Sequence, residues 1–146
     1  MKTYSILVVD DERLILTTLD MMLDKNKFSI DLAATGEDAI KKLHKKHYDI
    51  VLSDLMLPGV SGLDVLKEAK RMNPLVSAIL LTGKASEKSL SKAQELGISD
   101  YMVKPVSKKE LLGRIDECIK RYEFRKHTRE VENKFYNKTN HDLGTK

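Results

Sequence analysis

YDIVLSDLMLPGVSG, Tyr48 to Gly62, is the stretch that decides the fold. Ile50, Val51 and Leu52 are consecutive apolar residues, the mark of a strand buried on both faces. Asp54 stands at the carboxyl end of that run, and Pro58, Gly59 and Gly62 then turn the chain into a loop. Open α/β sheets collect their ligands at the carboxyl ends of their strands. An aspartate there is either a functional group or one of the turn and helix-cap aspartates common in such loops. The rest of the chain has to decide between the two.

The same pattern repeats on both sides. Ile6 to Val9 is an apolar run ending in Asp10, Asp11 and Glu12, and Leu14, Ile15, Leu16, Leu19, Met22 and Leu23 follow at helical spacing. Phe28, Ile30 and Leu32 alternate with Ser29 and Asp31, which predicts a half-exposed edge strand. Thr35 is placed to cap a helix, with Asp38 in the capping-box position and Ala39, Ile40 and Leu43 facing inward. Beyond Gly62, Leu63, Val65, Leu66 and Ala69 mark a third helix that Asn73 and Pro74 stop. Val76 to Leu81 is a further buried strand, closed by Thr82 and Gly83. A fourth helix, Ser86 to Leu96, has few large apolar residues and ends at Gly97, a residue suited to a left-handed cap. Tyr101 to Val103 forms the last strand, ended by Lys104 and Pro105. Ser107 to Glu110 then opens a helix carrying Leu111, Leu112, Ile115, Ile119 and Tyr122. Strict alternation of strand and helix predicts an α/β, doubly wound, parallel sheet with helices on both faces.

Composition narrows the class. A chain of 146 residues, 41% hydrophobic, is one domain with a real core. No apolar run is long enough to span a bilayer, and acids by position 10 rule out a secretory signal at this N-terminus. Cys118 is the only cysteine, so no intrachain disulfide or thiolate cluster is available. A cytoplasmic protein without membrane insertion is expected. Residues 120–146 hold eight basic and four acidic side chains, against 26 and 22 in the whole chain, so the positive charge belongs to the tail. Residues 1–122 read as the domain and 123–146 as a basic helical extension or linker tail. A solvated helix explains that charge better than direct nucleic-acid binding. His44 and His47, three apart in KKLHKKH, form a conceivable metal pair, but the surrounding lysines favour a solvated surface.

Polar residues stand at the carboxyl ends of four predicted strands: Asp10 and Asp11, Asp54, Thr82 and Lys104. In a doubly wound sheet those ends converge on one crevice. Two carboxylates about 4 Å apart repel by roughly 4 kcal/mol at an effective dielectric near 20. Three together must take up a proton, a cation or both. Lys104 neutralises one charge, and a hard divalent ion such as Mg²⁺ suits the rest. An acidic pocket with a lysine and a hydroxyl suits phosphoryl transfer, and a strand-end carboxylate can itself be the nucleophile.

These residues together make the chain resemble the receiver domain of two-component response regulators. The likeness is carried by LVVDDE, DLMLPGVSG, LLTG and YMVKP, within residues 4–122. It implies a flavodoxin-like sheet of five strands, order 2-1-3-4-5, with five helices. It also implies a phosphorylated signalling switch, not an enzyme acting on other substrates. By resemblance, Asp54 is the phosphoacceptor, with the phosphoryl group arriving from a histidine kinase or a phosphotransfer protein. Asp11, Asp54 and the Met56 carbonyl would bind Mg²⁺, with Asp10 acting through water. Lys104 would pair with the phosphoryl group, Thr82 would bond one of its oxygens, and Tyr101 would be the aromatic switch. Pro105 matches a proline preceded by a cis peptide bond in the family. Met56 and Lys84 fall where the family tunes dephosphorylation. On the residues alone, Thr82 could still be a helix cap and Tyr101 an ordinary strand aromatic.

A haloacid-dehalogenase-like phosphatase combines similar groups. That family, however, places its nucleophile near the N-terminus and a second Asp two residues later, where this chain has Met56. A stand-alone phosphorelay shuttle is the other alternative. The fourth helix, last strand and final helix form the expected output face, which in the family often makes a homodimer. Lys88, Lys92, Lys108 and Arg114 are expected to meet Glu95, Asp100, Asp116 and Glu117 of a second copy.

Overall fold

The computed structural model describes residues 2–84, 86–98 and 100–144, with side chains described through residue 140. Five strands, β1 (Tyr4–Val9), β2 (Phe28–Ala33), β3 (Ile50–Asp54), β4 (Ser77–Thr82) and β5 (Asp100–Val103), alternate with five helices. The helices are α1 (Arg13–Met22), α2 (Gly36–Lys45), α3 (Gly62–Met72), α4 (Glu87–Glu95) and α5 (Lys108–Gly144). Every strand pairing is parallel, in the order β2-β1-β3-β4-β5.

Apolar patterning explains that order. β3 and β4, read as continuous apolar runs, are buried along their whole length, whereas β2 and β5 lie at the edges and are partly exposed. Alternation along each strand builds two cores. Ile6 and Val8 pack with Leu16 and Leu19 of α1 and Leu111 and Ile115 of α5. Leu7 and Val9 point the other way, toward Leu43 of α2 and Val65 and Leu66 of α3.

Side-chain caps start four of the helices. Thr35 accepts from the Asp38 N–H at 3.0 Å, Ser86 from Ser89 at 3.1 Å and Ser107 from Glu110 at 3.1 Å. Ser61 caps α3 in the same way through the Asp64 N–H at 3.1 Å, a cap the sequence reading did not anticipate. Gly97 closes α4 with φ +75°, the left-handed conformation expected of it.

The two histidines are solvated surface as expected, though not on one helical face, and two acids expected at an output face are otherwise engaged. α2 ends at Lys45 and Lys46 is extended, so His47 is not on the helix with His44. His44 lies 3.6 Å from Glu68 and His47 3.4 Å from Asp49, and the two do not form a metal pair. Asp100 is not a free surface acid. It is buried, and the Arg121 Nη2 donates to both its oxygens at 2.6 and 2.7 Å, with Arg114 at 3.8 Å. Asp116 pairs with Lys120 at 3.1 Å, one helical turn away on its own helix.

The last helix runs 37 residues without a break. Tyr122 is its last buried residue among those described, and Phe124, Val131, Phe135 and Tyr136 are exposed. Where it leaves the sheet, Glu123 accepts from Lys2 at 2.5 Å and from the Tyr4 hydroxyl at 3.0 Å. Among the described residues, no helix is long and apolar enough to cross a membrane.

Candidate functional site

Backbone bonds set the site's frame. Asp10 follows β1 directly, and its N–H continues the ladder to Ala33 O at 3.1 Å, which holds the side chain fully buried. Asp54 is the last residue of β3, and the next N–H, of Leu55, bonds Leu81 O at 2.8 Å. Lys104 follows β5, and its N–H reaches Thr82 O at 2.7 Å. Three strand ends are thereby aligned, and their side chains meet. The Lys104–Pro105 peptide bond, just beyond, is cis.

The Lys104 ammonium lies 2.7 Å from Asp10 Oδ2, 3.4 Å from Asp54 Oδ2 and 3.9 Å from Glu12 Oε1. Asp10 Oδ2 is buried, and this close ion pair is its only polar contact among the described residues. Asp10 Oδ1 accepts from the Glu12 N–H at 2.9 Å. Burial, then the neighbouring Asp10 charge, push the Asp54 carboxyl above its ordinary value, against the pull of Lys104 and the Met56 N–H. Burial alone would lower Lys104, but the two carboxylates outweigh it and hold the ammonium above its usual value.

Asp11 is exposed at the rim of an open cleft of about 510 Å³, which Asp54, Met56, Thr82, Lys84 and Lys104 also line. Asp10, Asp11 and Glu12 each bring a carboxylate oxygen within 4.8 Å of the others. The Asp54 carboxylate lies outside that trio, turned to Lys104 and the Met56 N–H. Glu12 is the member the sequence reading left out. Its signal was present in LVVDDE, but an exposed acid before a helix is ordinary. Four carboxylates beside one ammonium leave a negative excess, and such a set of hard oxygens fits Mg²⁺. A larger cleft, about 620 Å³ between α1 and α5, is lined by Met22, Phe28, Leu112 and Ile115 among others, without that excess.

The two remaining groups make no hydrogen bond to Asp54 among the described residues. The Thr82 hydroxyl donates to Lys84 O at 3.1 Å and accepts from the Lys84 N–H at 3.2 Å. Tyr101 packs its ring against the α2–α3 core, and its hydroxyl is buried without a hydrogen-bond partner among the described residues. Gly62 completes the frame. A Cβ there would stand 1.8 Å from Asp54 O, so only glycine lets α3 begin so close to the end of β3.

Known proteins share this sequence pattern and fold. The family profile described as "Response regulator receiver domain" matches residues 6–116. The transcriptional regulatory protein ResD of Bacillus subtilis is 39% identical over 118 residues, covering 80% of this chain and 48% of ResD. The alkaline phosphatase synthesis transcriptional regulatory protein PhoP, also of Bacillus subtilis, is 34% identical over 128 residues, covering 88% of this chain and 53% of PhoP. The chain therefore spans about half the length of these relatives. The CheY-like receiver domain of Methanospirillum hungatei superposes with a TM-score of 0.81 at 28% identity, over 85% of this chain and 99% of that one. Profile, relatives and backbone agree, and the chain belongs to the response regulator receiver family of two-component systems.

Proposed function

We propose that the chain accepts a phosphoryl group on Asp54 from the phosphohistidine of a histidine kinase or phosphotransfer protein in the cytoplasm. The observation that carries this reading is the Lys104 ammonium, set between Asp10 at 2.7 Å and Asp54 at 3.4 Å at the floor of an open acidic cleft. An Asp54 oxygen attacks phosphorus, the P–N bond to the donor imidazole breaks, and the ring nitrogen keeps the electron pair and takes up a proton. Asp54 is 7% exposed, enough to be reached yet sheltered from bulk water. Lys104 turns from Asp54 to the incoming phosphoryl oxygens while keeping Asp10, so its charge stays compensated throughout. Asp11, Asp54 and the Met56 carbonyl would hold Mg²⁺, with Asp10 joined through water. When bound, the ion neutralises the charge that otherwise repels a phosphoryl donor.

The switch is read from two unsettled hydroxyls. Thr82 spends its hydroxyl on the neighbouring Lys84 backbone. A neutral bond of that kind contributes about 0.5–1.5 kcal/mol, against about 1.5–3 kcal/mol for one to a charged group. Thr82 would exchange its two bonds to the Lys84 backbone for one to a charged oxygen, a near-balanced trade that leaves both states accessible, and Tyr101, with its hydroxyl unpartnered among the described residues, follows at little cost. α4, β5 and α5 form the output face. Phosphorylation-dependent pairing of two copies belongs to the same reading, with Lys88, Lys92, Glu95 and Glu117 as exposed charges on that face. No observation favours a phosphatase or a stand-alone shuttle.

Intact-mass measurement after incubation with acetyl phosphate or phosphoramidate tests the assignment. One added phosphoryl group is expected with Mg²⁺, none in Asp54→Asn and none after chelation. Label on the Asn variant equal to wild type would remove Asp54 from the role.

A further inference from the structure

The amino-terminal edge of the sheet, opposite the acidic cleft, carries a further concavity of about 450 Å³. Val76 and Ala78 at the start of β4 form its apolar floor, and Gly97 and Phe124 stand at its sides. Two cations enter it from different elements, Lys70 from α3 and Arg125 from α5. Among the described residues, neither makes an ion pair. Arg125 only donates to Leu75 O at a long 3.4 Å. Among the described residues, the one carboxylate lining the cleft, Asp100, is already held by Arg121 at 2.6 and 2.7 Å and approached by Arg114 at 3.8 Å. Lys120, also at the cleft, has Asp116 at 3.1 Å.

The positive excess thus falls on Lys70, half-buried, and Arg125, exposed, which line the same cleft. Burial, then the Arg125 charge, hold the Lys70 ammonium below its ordinary value. Gly97 stands beside the lysine without being required by it. A Cβ at that position would lie 3.6 Å from Lys70 Cε, and the residue's φ of +75° suits glycine. Phe124 is 72% exposed and offers a flat apolar face beside the two cations. Small-ligand sites commonly measure about 300–1,000 Å³ and combine apolar walls with a few converging polar groups.

We propose that this cleft binds a phosphate-bearing aromatic small molecule of the nucleotide class, its phosphate between Lys70 and Arg125 and its ring on Phe124. An Arg–Lys pair matches a phosphate in charge, and the guanidinium also matches it in geometry. The site is independent of Asp54, so it stands or falls apart from the phosphoacceptor assignment.

NMR titration of the full chain at low ionic strength, with AMP, inorganic phosphate and adenosine as probes, tests it. AMP is expected to shift the Gly97, Phe124 and Arg125 amides and to raise the pKa followed at Lys70 Cε. It should bind at least tenfold more tightly than phosphate, and adenosine should not bind measurably. Lys70→Gln and Arg125→Gln should each weaken AMP at least fivefold, whereas Phe124→Ala should weaken AMP and leave phosphate unchanged. Each variant's amide spectrum reports whether it is folded. AMP shifts confined to the Asp54 cleft would overturn the proposal, as would equal affinity in both charge variants. Phosphate binding as tightly as AMP would remove the ring-bearing ligand.

Discussion

Asp54 must be ionised to react, yet the fold that shelters it disfavours its charge. Burial and the Asp10 carboxylate oppose ionisation, Lys104 and the Met56 N–H favour it, and the balance raises the pKa. The sign of the stability effect follows. An acid whose native value lies above its unfolded value costs nothing while protonated in both states, below the ordinary 3.8. The cost appears as pH rises through the native value and is complete above it. Replacing Asp54 by Asn removes that cost. Metal-free Asp54→Asn should therefore be more stable than wild type at pH 7 by on the order of 1 kcal/mol. That corresponds to a melting temperature higher by about 4 °C. The difference should shrink toward zero near pH 3. Thermal melts in EDTA across that range check it, and a less stable variant at pH 7 would show that Lys104 outweighs Asp10 and burial.

Elements differ in how firmly they are fixed, and the difference traces to a few side chains. α3 buries Val65, Leu66 and Ala69, and its first residue, Gly62, touches the end of β3. α4 buries only Ser89 and Ala93, since Leu90 is 36% exposed, so the helix expected to move is also the least anchored. Two glycine substitutions separate contact from propensity. Gly62→Ala forces a Cβ to within 1.8 Å of Asp54 O, and either the helix or the strand end has to shift. Overpacking of this kind costs typically 1–3 kcal/mol, and backbone against backbone belongs at the upper end. Gly113→Ala meets nothing within 4 Å inside α5 and should gain roughly 0.5–1 kcal/mol from helix propensity alone. Urea unfolding of the two variants is expected to give opposite signs. A neutral Gly62→Ala would mean that the joint between β3 and α3 yields freely, and its phosphorylation rate would then match wild type.

At the scale of the molecule, what the sequence made legible was whatever neighbouring residues encode. Runs such as Ile50 to Leu52 announce burial on both faces, so the strands and their alternation with helices were readable, whereas the strand order came from the resemblance to the family. Geometry between distant segments was not readable. That Lys104 sits closer to Asp10 than to Asp54, that Thr82 bonds Lys84, and that Asp100 is consumed by Arg121 depend on side-chain directions no local pattern records. The length of α5 was open for a different reason. No glycine or proline interrupts Arg114 to Leu143, but Thr128, Asn133, Asn137 and Asn140 are mediocre helix formers, and the apolar stripe fades after Tyr122. Helix alone is weakly stable at such lengths, so the far part of α5 rests on continuity with the packed part. Residues 129–140 are all exposed, whereas Tyr122 is buried and Glu123 ties the helix to Tyr4 of β1. Removing residues 129–146 should therefore leave unfolding free energy within about 0.5 kcal/mol of wild type, the range of ordinary surface changes. The far-ultraviolet helical signal should fall by the share of the deleted helix, and phosphorylation should proceed at the wild-type rate. A loss of more than about 2 kcal/mol, well outside that surface range, would mean that the extension packs back on the domain, and the boundary near residue 122 would have to move.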